Sequence, residues 1–147
     1  MIEIAAALRD QMVEHALREF PDEACGLLAG SYVQADADPG TTGRVPAASA
    51  VSFHPMTNAD ASPVTYRLDP KEQLKVFTEV DDAGLEVVGI VHSHTHSEAY
   101  PSETDRRQAF YPDAHYVLVS LQDRNMPVIR AFSIRDGSID EQDVMTP

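Results

Sequence analysis

The chain has 147 residues, 43% of them hydrophobic, and this length and composition predict a single globular domain over residues 1–147. The formal net charge of −13 argues against nucleic-acid binding, which needs a basic surface to neutralise phosphates. No apolar run approaches the roughly 20 residues that a membrane span needs, and the N-terminus shows no signal-peptide pattern. We therefore expect a cytoplasmic protein with no membrane partner, and the lone Cys25 agrees because it cannot form an intramolecular disulfide.

The first part of the chain predicts a helix and a buried strand. Apolar side chains recur every four residues, at Leu8, Met12, Ala16 and Phe20. This spacing indicates an amphipathic helix over residues 6–20, which Pro21 ends because proline cannot continue the helical hydrogen bonds. Residues 23–30 are mostly apolar and indicate a short strand that opens with the acidic Glu23.

A loop, a strand and a second helix follow. Residues 34–43 are rich in Asp, Gly and Thr and predict a mobile loop, and residues 44–53 can form a strand with Pro46 at its edge. A polar loop over residues 54–63 leads to the helix, which Asp69 can cap. The other helix signals are Pro70 in the first turn, Glu72 in a box-like capping pattern, an apolar stripe of Leu74, Phe77 and Val80, and the stop residue Gly84.

The rest of the chain predicts more strands and one short helix. The strands are expected at residues 87–91, 115–121, 128–135 and 138–144, with the helix over about 102–110. Together these elements predict an α+β fold, an α/β sandwich with a mixed sheet of about six strands and two principal helices.

A metal-binding pattern begins where the buried strand 87–91 ends. His92 and His94 are two residues apart, so on a strand both imidazoles point to the same face and can reach one ion. A catalytic zinc needs three protein ligands and one open position for water, and Asp105 can supply the third ligand if the chain folds back. The sequence therefore predicts one Zn²⁺ per chain.

Two further residues suit hydrolysis at such a site. Glu23 is an acid at the mouth of an apolar strand, a costly position unless the carboxylate has a polar role, and we predict that it is the general acid/base. Ser102 lies one helical turn before Asp105 and can hydrogen-bond a developing oxyanion, or simply cap the short helix.

This pattern resembles the JAMM motif of JAB1/MPN-type zinc metalloproteases. The matching residues are Glu23, His92-x-His94, seven intervening residues, Ser102, two more, and Asp105, with Pro21–Leu28, Gly89 and Pro101 fitting around them. The resemblance implies zinc ligation by His92, His94 and Asp105, with Glu23 and Ser102 as catalytic residues. It also implies a cytidine deaminase-like fold, with six to eight mainly antiparallel strands. Thr95-His96 departs from the proline that many eukaryotic members have after the second histidine.

The resemblance also suggests a substrate class. The family implies an (iso)peptidase acting on the extended C-terminal tail of a ubiquitin-like protein. The chain looks most similar to small bacterial members that release cysteine from a ubiquitin-like sulfur carrier, for cysteine biosynthesis. The alternatives are an isopeptidase with another ubiquitin-like substrate and a non-catalytic scaffold. A zinc nucleoside deaminase would need a pair of cysteines that the chain lacks.

Several other polar residues have simpler structural explanations. His96 could pair with His94, but the spacing to Ser102 and Asp105 favours His92 and His94. Cys25 is expected to be a small buried side chain. The loop residues Asn58, Asp60 and Ser62 are ordinary loop formers, with substrate gripping as the less favoured alternative. The remaining histidines, His15, His54 and His115, are expected to be structural or exposed.

Overall fold

The computed structural model describes residues 1–33 and 45–147, so the predicted loop at residues 34–43 lies outside the described part. The strands of this part are β1 (Ile2–Glu3), β2 (Cys25–Tyr32), β3 (Ala48–Met56), β4 (Glu86–His94), β5 (His115–Ser120), β6 (Val128–Arg135), β7 (Ser138–Gln142) and β8 (Val144–Met145). Its helices are α1 (Ala6–Glu19), α2 (Pro70–Asp82) and α3 (Glu103–Arg107). None of the helices in the described ranges is long and apolar enough to cross a membrane.

All eight strands lie in one sheet, in the order β7-β6-β5-β4-β2-β3-β1-β8. The pairs β4–β5, β1–β3 and β1–β8 are parallel, and the other four pairs are antiparallel. The longer pairings are mostly antiparallel, and α1 and α2 are the two long helices. The prediction of a mixed, mainly antiparallel α+β sheet of six to eight strands is therefore confirmed.

The sheet separates two hydrophobic cores, one under each long helix. On one face, Leu8, Met12 and Ala16 of α1 pack with Leu28 and other strand residues. On the other face, Val76 and Val80 of α2 pack with Leu27 and Ile90. Side chains alternate along a strand, so the face of Ile90 continues to His92 and His94 at the end of β4. The fold thus brings both histidines to the α2 side of the sheet.

The apolar stripe predicted for α2 was partly wrong. Leu74 is 71% exposed, whereas Val76 is buried beside Val80 and the partly buried Phe77. Leu74 lies two residues before Val76, about 200° around the helix, so it faces away from the sheet. The cap at Asp69 is present, and its side chain accepts hydrogen bonds from the backbone N–H groups of residues 71 and 72.

Several other details differ from those predicted, and the strand expected over residues 138–144 is divided into β7 and β8. Glu72 does not close a capping box, because its carboxylate accepts hydrogen bonds from the backbone N–H and the hydroxyl of Thr57 at 2.7 and 3.0 Å. The strand expected from residue 44 begins at Ala48. The strand β2 begins at Cys25, so Glu23 precedes it, while β4 extends through His94.

Candidate metal centre

His92, His94 and Asp105 meet at one point beside the end of β4. Nε2 of His92 lies 3.1 Å from Oδ2 of Asp105, and Nε2 of His94 lies 2.9 Å from the same oxygen. All three side chains are buried, and their candidate ligand atoms lie within 4.8 Å of one another. The three residues predicted from spacing to share a metal are therefore neighbours in the structure.

The donor set suits a zinc ion. Two imidazole nitrogens and one carboxylate oxygen are common zinc ligands, and three of them leave one tetrahedral position open. A tetrahedral ion with ligands about 2.0–2.1 Å away would separate neighbouring ligand atoms by about 3.3 Å. The two nitrogen–oxygen distances, 3.1 and 2.9 Å, are close to this spacing. The side chains could thus hold a metal with small adjustments.

The short helix α3 places Asp105 beside the two histidines. Its N-cap is Ser102, whose hydroxyl accepts a hydrogen bond from the backbone N–H of Asp105 at 3.0 Å. In return, Oδ2 of Asp105 accepts one from the backbone N–H of Ser102 at 2.9 Å. This reciprocal capping box fixes the carboxylate at the helix start, where the helix dipole favours a negative charge.

Hydrogen bonding and burial shift the pKa values of the three clustered residues in opposite directions. Burial alone would raise the pKa of Asp105, but hydrogen bonds from His92 and His94 hold it well below its usual range. Burial would also lower the pKa of His94, yet its hydrogen bonds to Asp105 and to the Glu98 carbonyl raise it overall. For His92 burial prevails and lowers the pKa. A neutral His92 and an ionised Asp105 are the forms that metal binding requires.

Glu23 lies at the same site because β2 and β4 continue to interact beyond their last paired residues. The backbone N–H of Ala24 donates to the Ser93 hydroxyl at 2.7 Å, and the backbone N–H of Ser93 donates to the Ala24 carbonyl at 2.9 Å. Glu23 is thereby held in a cavity of about 210 Å³ that His94 and Ser102 also line. The acid predicted at the mouth of the strand does face the candidate metal residues.

The Glu23 carboxyl is buried, and its hydrogen-bonding capacity is not fully used. The residue is 4% exposed, and its Oε1 has no hydrogen-bond partner among the residues that the structure describes. Burial raises its pKa to about 8. The nearby His94 lowers this pKa by a smaller amount, and the charge of Asp105 raises it slightly further. An acid with a pKa near neutrality can both accept and return a proton, as a general acid/base must.

Ser102 is exposed, and its hydroxyl already caps α3. It lines the same cavity as Glu23, together with Pro63, Val64 and Thr95. The hydroxyl is a donor as well as an acceptor, so accepting the Asp105 N–H leaves its own proton free to be donated into the cavity. The structural and catalytic interpretations of Ser102 are therefore compatible.

The other sequence candidates do not belong to the three-residue cluster. His96 lines the cavity, but its Nδ1 lies 2.9 Å from the Thr95 hydroxyl and its ring packs near Phe20. His15 and His115 are buried and hydrogen-bond backbone carbonyls, at Cys25 and Pro46. Cys25 itself is fully buried, and burial raises the pKa of its thiol to about 12.

Sequence reasoning missed the structural importance of the loop at residues 57–68. Asn58 hydrogen-bonds through both ends of its amide group, and one of its contacts is the Glu23 carbonyl at 3.0 Å. The backbone N–H of Glu23 donates to the Ser62 carbonyl at 2.8 Å. Tyr66 stacks on His92 with a centroid separation of 4.2 Å. Polar loop formers predict a turn, but no local pattern tells which distant residue they will contact.

Comparison with known proteins identifies close relatives. The family model described as prokaryotic homologs of the JAB domain matches residues 5–135. The CysO-cysteine peptidase of Mycobacterium tuberculosis is 47% identical over 142 residues, which cover 96% of this chain and 88% of that protein. The desampylase of Haloferax volcanii is 36% identical over 124 residues, covering 81% of this chain and 80% of the relative.

Solved structures show the same fold. The protein DSY2949 from Desulfitobacterium hafniense has a TM-score of 0.85 at 31% identity, covering 100% of this chain and 93% of that structure. AF2198, a JAB1/MPN domain protein from Archaeoglobus fulgidus, has a TM-score of 0.53 at 21% identity, covering 98% of this chain and 97% of that structure. The second likeness concerns the fold alone.

Proposed function

Because the chain belongs to the prokaryotic homologs of the JAB domain, we propose that it is a zinc peptidase that releases cysteine from the C-terminal tail of a ubiquitin-like sulfur carrier. The observation that carries the chemistry is the meeting of two imidazoles and a carboxylate beside a buried, unpartnered glutamate. The observation that favours the substrate is the 47% identity to the CysO-cysteine peptidase over 96% of the chain.

In this proposal His92, His94 and Asp105 hold one zinc ion per chain. When bound, the zinc would lower the pKa of water and polarise the scissile carbonyl. On metal binding, Nδ1 of His94 would remain the donor to the Glu98 carbonyl at 2.9 Å, while Nε2 would give up the proton that it shares with Asp105 and become the ligand. The low pKa of Asp105 keeps its carboxylate ionised at neutral pH.

Glu23 would act as the general acid/base, and Ser102 would stabilise the oxyanion. The Glu23 carboxylate receives the proton of the attacking water and returns it to the departing amine of cysteine, so the amide bond is exchanged for a carboxyl and a free amine. The burial of Glu23 suits both steps, because it weakens the preference of the carboxyl for the ionised form. The Ser102 hydroxyl, at the mouth of the same cavity, donates a hydrogen bond to the oxyanion.

The proposed reaction would serve cysteine biosynthesis in the cytoplasm. A second function has one specific observation in its favour, the 36% identity to a desampylase. In that function the carrier tail would be linked to a protein lysine instead of cysteine. The same residues would act in both reactions, so the leaving group alone separates them.

The test is hydrolysis of two matched substrates by the purified, zinc-loaded protein. One is a ubiquitin-like carrier with cysteine amide-linked to its terminal glycine, and the other is the same carrier linked to a lysine side chain. We expect mass spectrometry to show loss of one cysteine residue from the first substrate, with much slower cleavage of the second. Preferential cleavage of the lysine conjugate would favour the desampylase function.

Glu23→Gln is the matched control for this assay. Glutamine keeps the shape but cannot accept the water proton, so turnover should fall about 10²–10⁴-fold while zinc remains bound. Near-normal activity of this variant would contradict the role of Glu23. A wild-type protein that binds no zinc under metal-replete conditions would instead support the non-catalytic scaffold.

A further inference from the structure

We infer that Tyr66 is a positioning residue that orients the imidazole of His92 by stacking on it, an inference that rests on the proposed metal site. The two rings are nearly parallel, with an interplanar angle of 18° and centroids 4.2 Å apart. His92 is 1% exposed, so this ring face lies in a buried environment. A flat partner at this distance resists tilting of the imidazole plane, and the plane sets the direction of the Nε2 lone pair.

The two histidines are held in different ways. A metal-binding histidine usually donates its second ring N–H to an oxygen, which fixes the orientation of the ring. His94 has such a partner, because its Nδ1 lies 2.9 Å from the Glu98 carbonyl. Nδ1 of His92 is buried and has no hydrogen-bond partner among residues 1–33 and 45–147. The stack on Tyr66 therefore supplies the restraint that the Glu98 carbonyl supplies for His94.

The backbone on both sides of Tyr66 is fixed by Asn58. The amide nitrogen of Asn58 donates to the Thr65 carbonyl at 2.9 Å, and its oxygen accepts from the backbone N–H of Arg67 at 3.1 Å. The same amide nitrogen donates to the Glu23 carbonyl at 3.0 Å. The loop that presents Tyr66 to His92 is thus anchored to the proposed general acid/base.

The ring of Tyr66, and not its hydroxyl, makes the relevant contact. Its aromatic face is the part that meets His92, and the residue also lines a cavity of about 440 Å³ with Ile90, Tyr111 and Tyr116. A phenylalanine would preserve the face, whereas a leucine would remove it. The two substitutions therefore separate stacking from hydrogen bonding.

The test measures metal binding in Tyr66→Leu and Tyr66→Phe. We expect Tyr66→Leu to weaken zinc binding about 10–100-fold, the usual effect of losing a group that orients a metal ligand. Tyr66→Phe should keep the wild-type affinity. The visible absorption spectrum of the cobalt(II)-substituted protein, which depends on ligand geometry, should change in Tyr66→Leu and remain unchanged in Tyr66→Phe. Phe77→Leu is the control, since Phe77 packs on Tyr111 away from the histidines.

Two results would overturn the inference. One is a folded Tyr66→Leu protein with wild-type zinc affinity and cobalt spectrum, and the other is an equal loss in Tyr66→Phe and Tyr66→Leu. If Tyr66→Leu does not fold, Tyr66→Met fills the space without a flat face and should show the same loss. A wild-type protein that binds no zinc would remove the proposed function as well, whereas unaltered binding in the variants would remove only the role of Tyr66.

Discussion

Cys25 of β2 pairs directly with His92 of β4, so the start of one strand lies beside the end of the other. The two strands run antiparallel, and the residues before Cys25 therefore continue alongside His94. This register explains why Glu23 shares a cavity with His94 although the two are far apart in sequence. It also places a thiol next to the proposed metal residues without making it part of the site, because Cys25 is fully buried in the core under α2.

We expect Cys25 to be unreactive in the folded protein. Burial raises the pKa of its thiol to about 12, and only the thiolate is strongly nucleophilic. Titration with an aromatic disulfide reagent at pH 8 should therefore detect no thiol until denaturant is added. Rapid stoichiometric reaction of the native protein would show that the thiol is accessible and reopen a chemical role for it.

Asp105→Asn should weaken zinc binding. Asparagine has nearly the same shape, but it removes the negative charge that faces both imidazoles at 2.9 and 3.1 Å. The measurement is a competition titration with a zinc chelator, with His96→Ala as the control that should bind as the wild type does. Equal affinity in Asp105→Asn and the wild type would remove Asp105 from the ligand set.

The stability of the metal-free protein should depend on pH through Glu23. Its pKa is about 8 in the folded chain against an ordinary 4.5, so between these values the folded state retains a proton that the unfolded state has lost. The free energy of unfolding should consequently fall as pH rises through this window, by at most about 1.4 kcal/mol per pH unit.

Urea unfolding from pH 5 to pH 8 measures this dependence, and Glu23→Gln is its reference. The variant lacks the titrating group, so the difference between it and the wild type isolates Glu23 from Asp105 and the histidines. A difference that does not change with pH would show that the Glu23 carboxyl is ionised throughout this range in the folded protein.

Substitutions at Ser102 should separate its two roles. Ser102→Ala removes both the cap and the hydroxyl and should cost about 0.5–2 kcal/mol of stability, whereas Ser102→Gly should cost only a few tenths. Both variants lack the hydroxyl proposed as the oxyanion donor, so both should lose about 10²–10³-fold in kcat. Stability is read from urea unfolding and kcat from the cysteine-release assay. A Ser102→Gly variant with wild-type kcat would leave Ser102 as a cap only.

Substitutions at Leu74 and Val80 test the corrected orientation of α2. Leu74 is 71% exposed, so Leu74→Ala should change the free energy of unfolding by no more than about 0.5 kcal/mol. Val80 is buried under the same helix, and Val80→Ala should cost about 1.5 kcal/mol or more. Urea unfolding at one pH compares them, and a large loss in Leu74→Ala would mean that this side chain packs against another surface.

The sequence predicted those features that depend on short-range spacing. The His92–His94 alternation, the cap at Ser102 and the stop at Gly84 are local patterns, and the structure has the corresponding strand, capping box and left-handed glycine. The orientation of Leu74 was missed because several apolar residues compete for one helix face, and packing against the sheet selects among them. Tyr66 was missed for a related reason, since its partner His92 lies in another element and only the tertiary fold joins them.

A single oxygen, Oδ2 of Asp105, closes the capping box of α3 and also faces both imidazoles. Metal binding and the local opening of residues 103–107 are consequently linked equilibria. A bound metal should stabilise the folded helix against opening by the same free energy that the folded helix contributes to metal binding. Slow amide hydrogen exchange in this five-residue helix should therefore accompany loading of the site. Hydrogen exchange in α3, the shortest helix of the described residues, should thus report whether the proposed metal site is occupied.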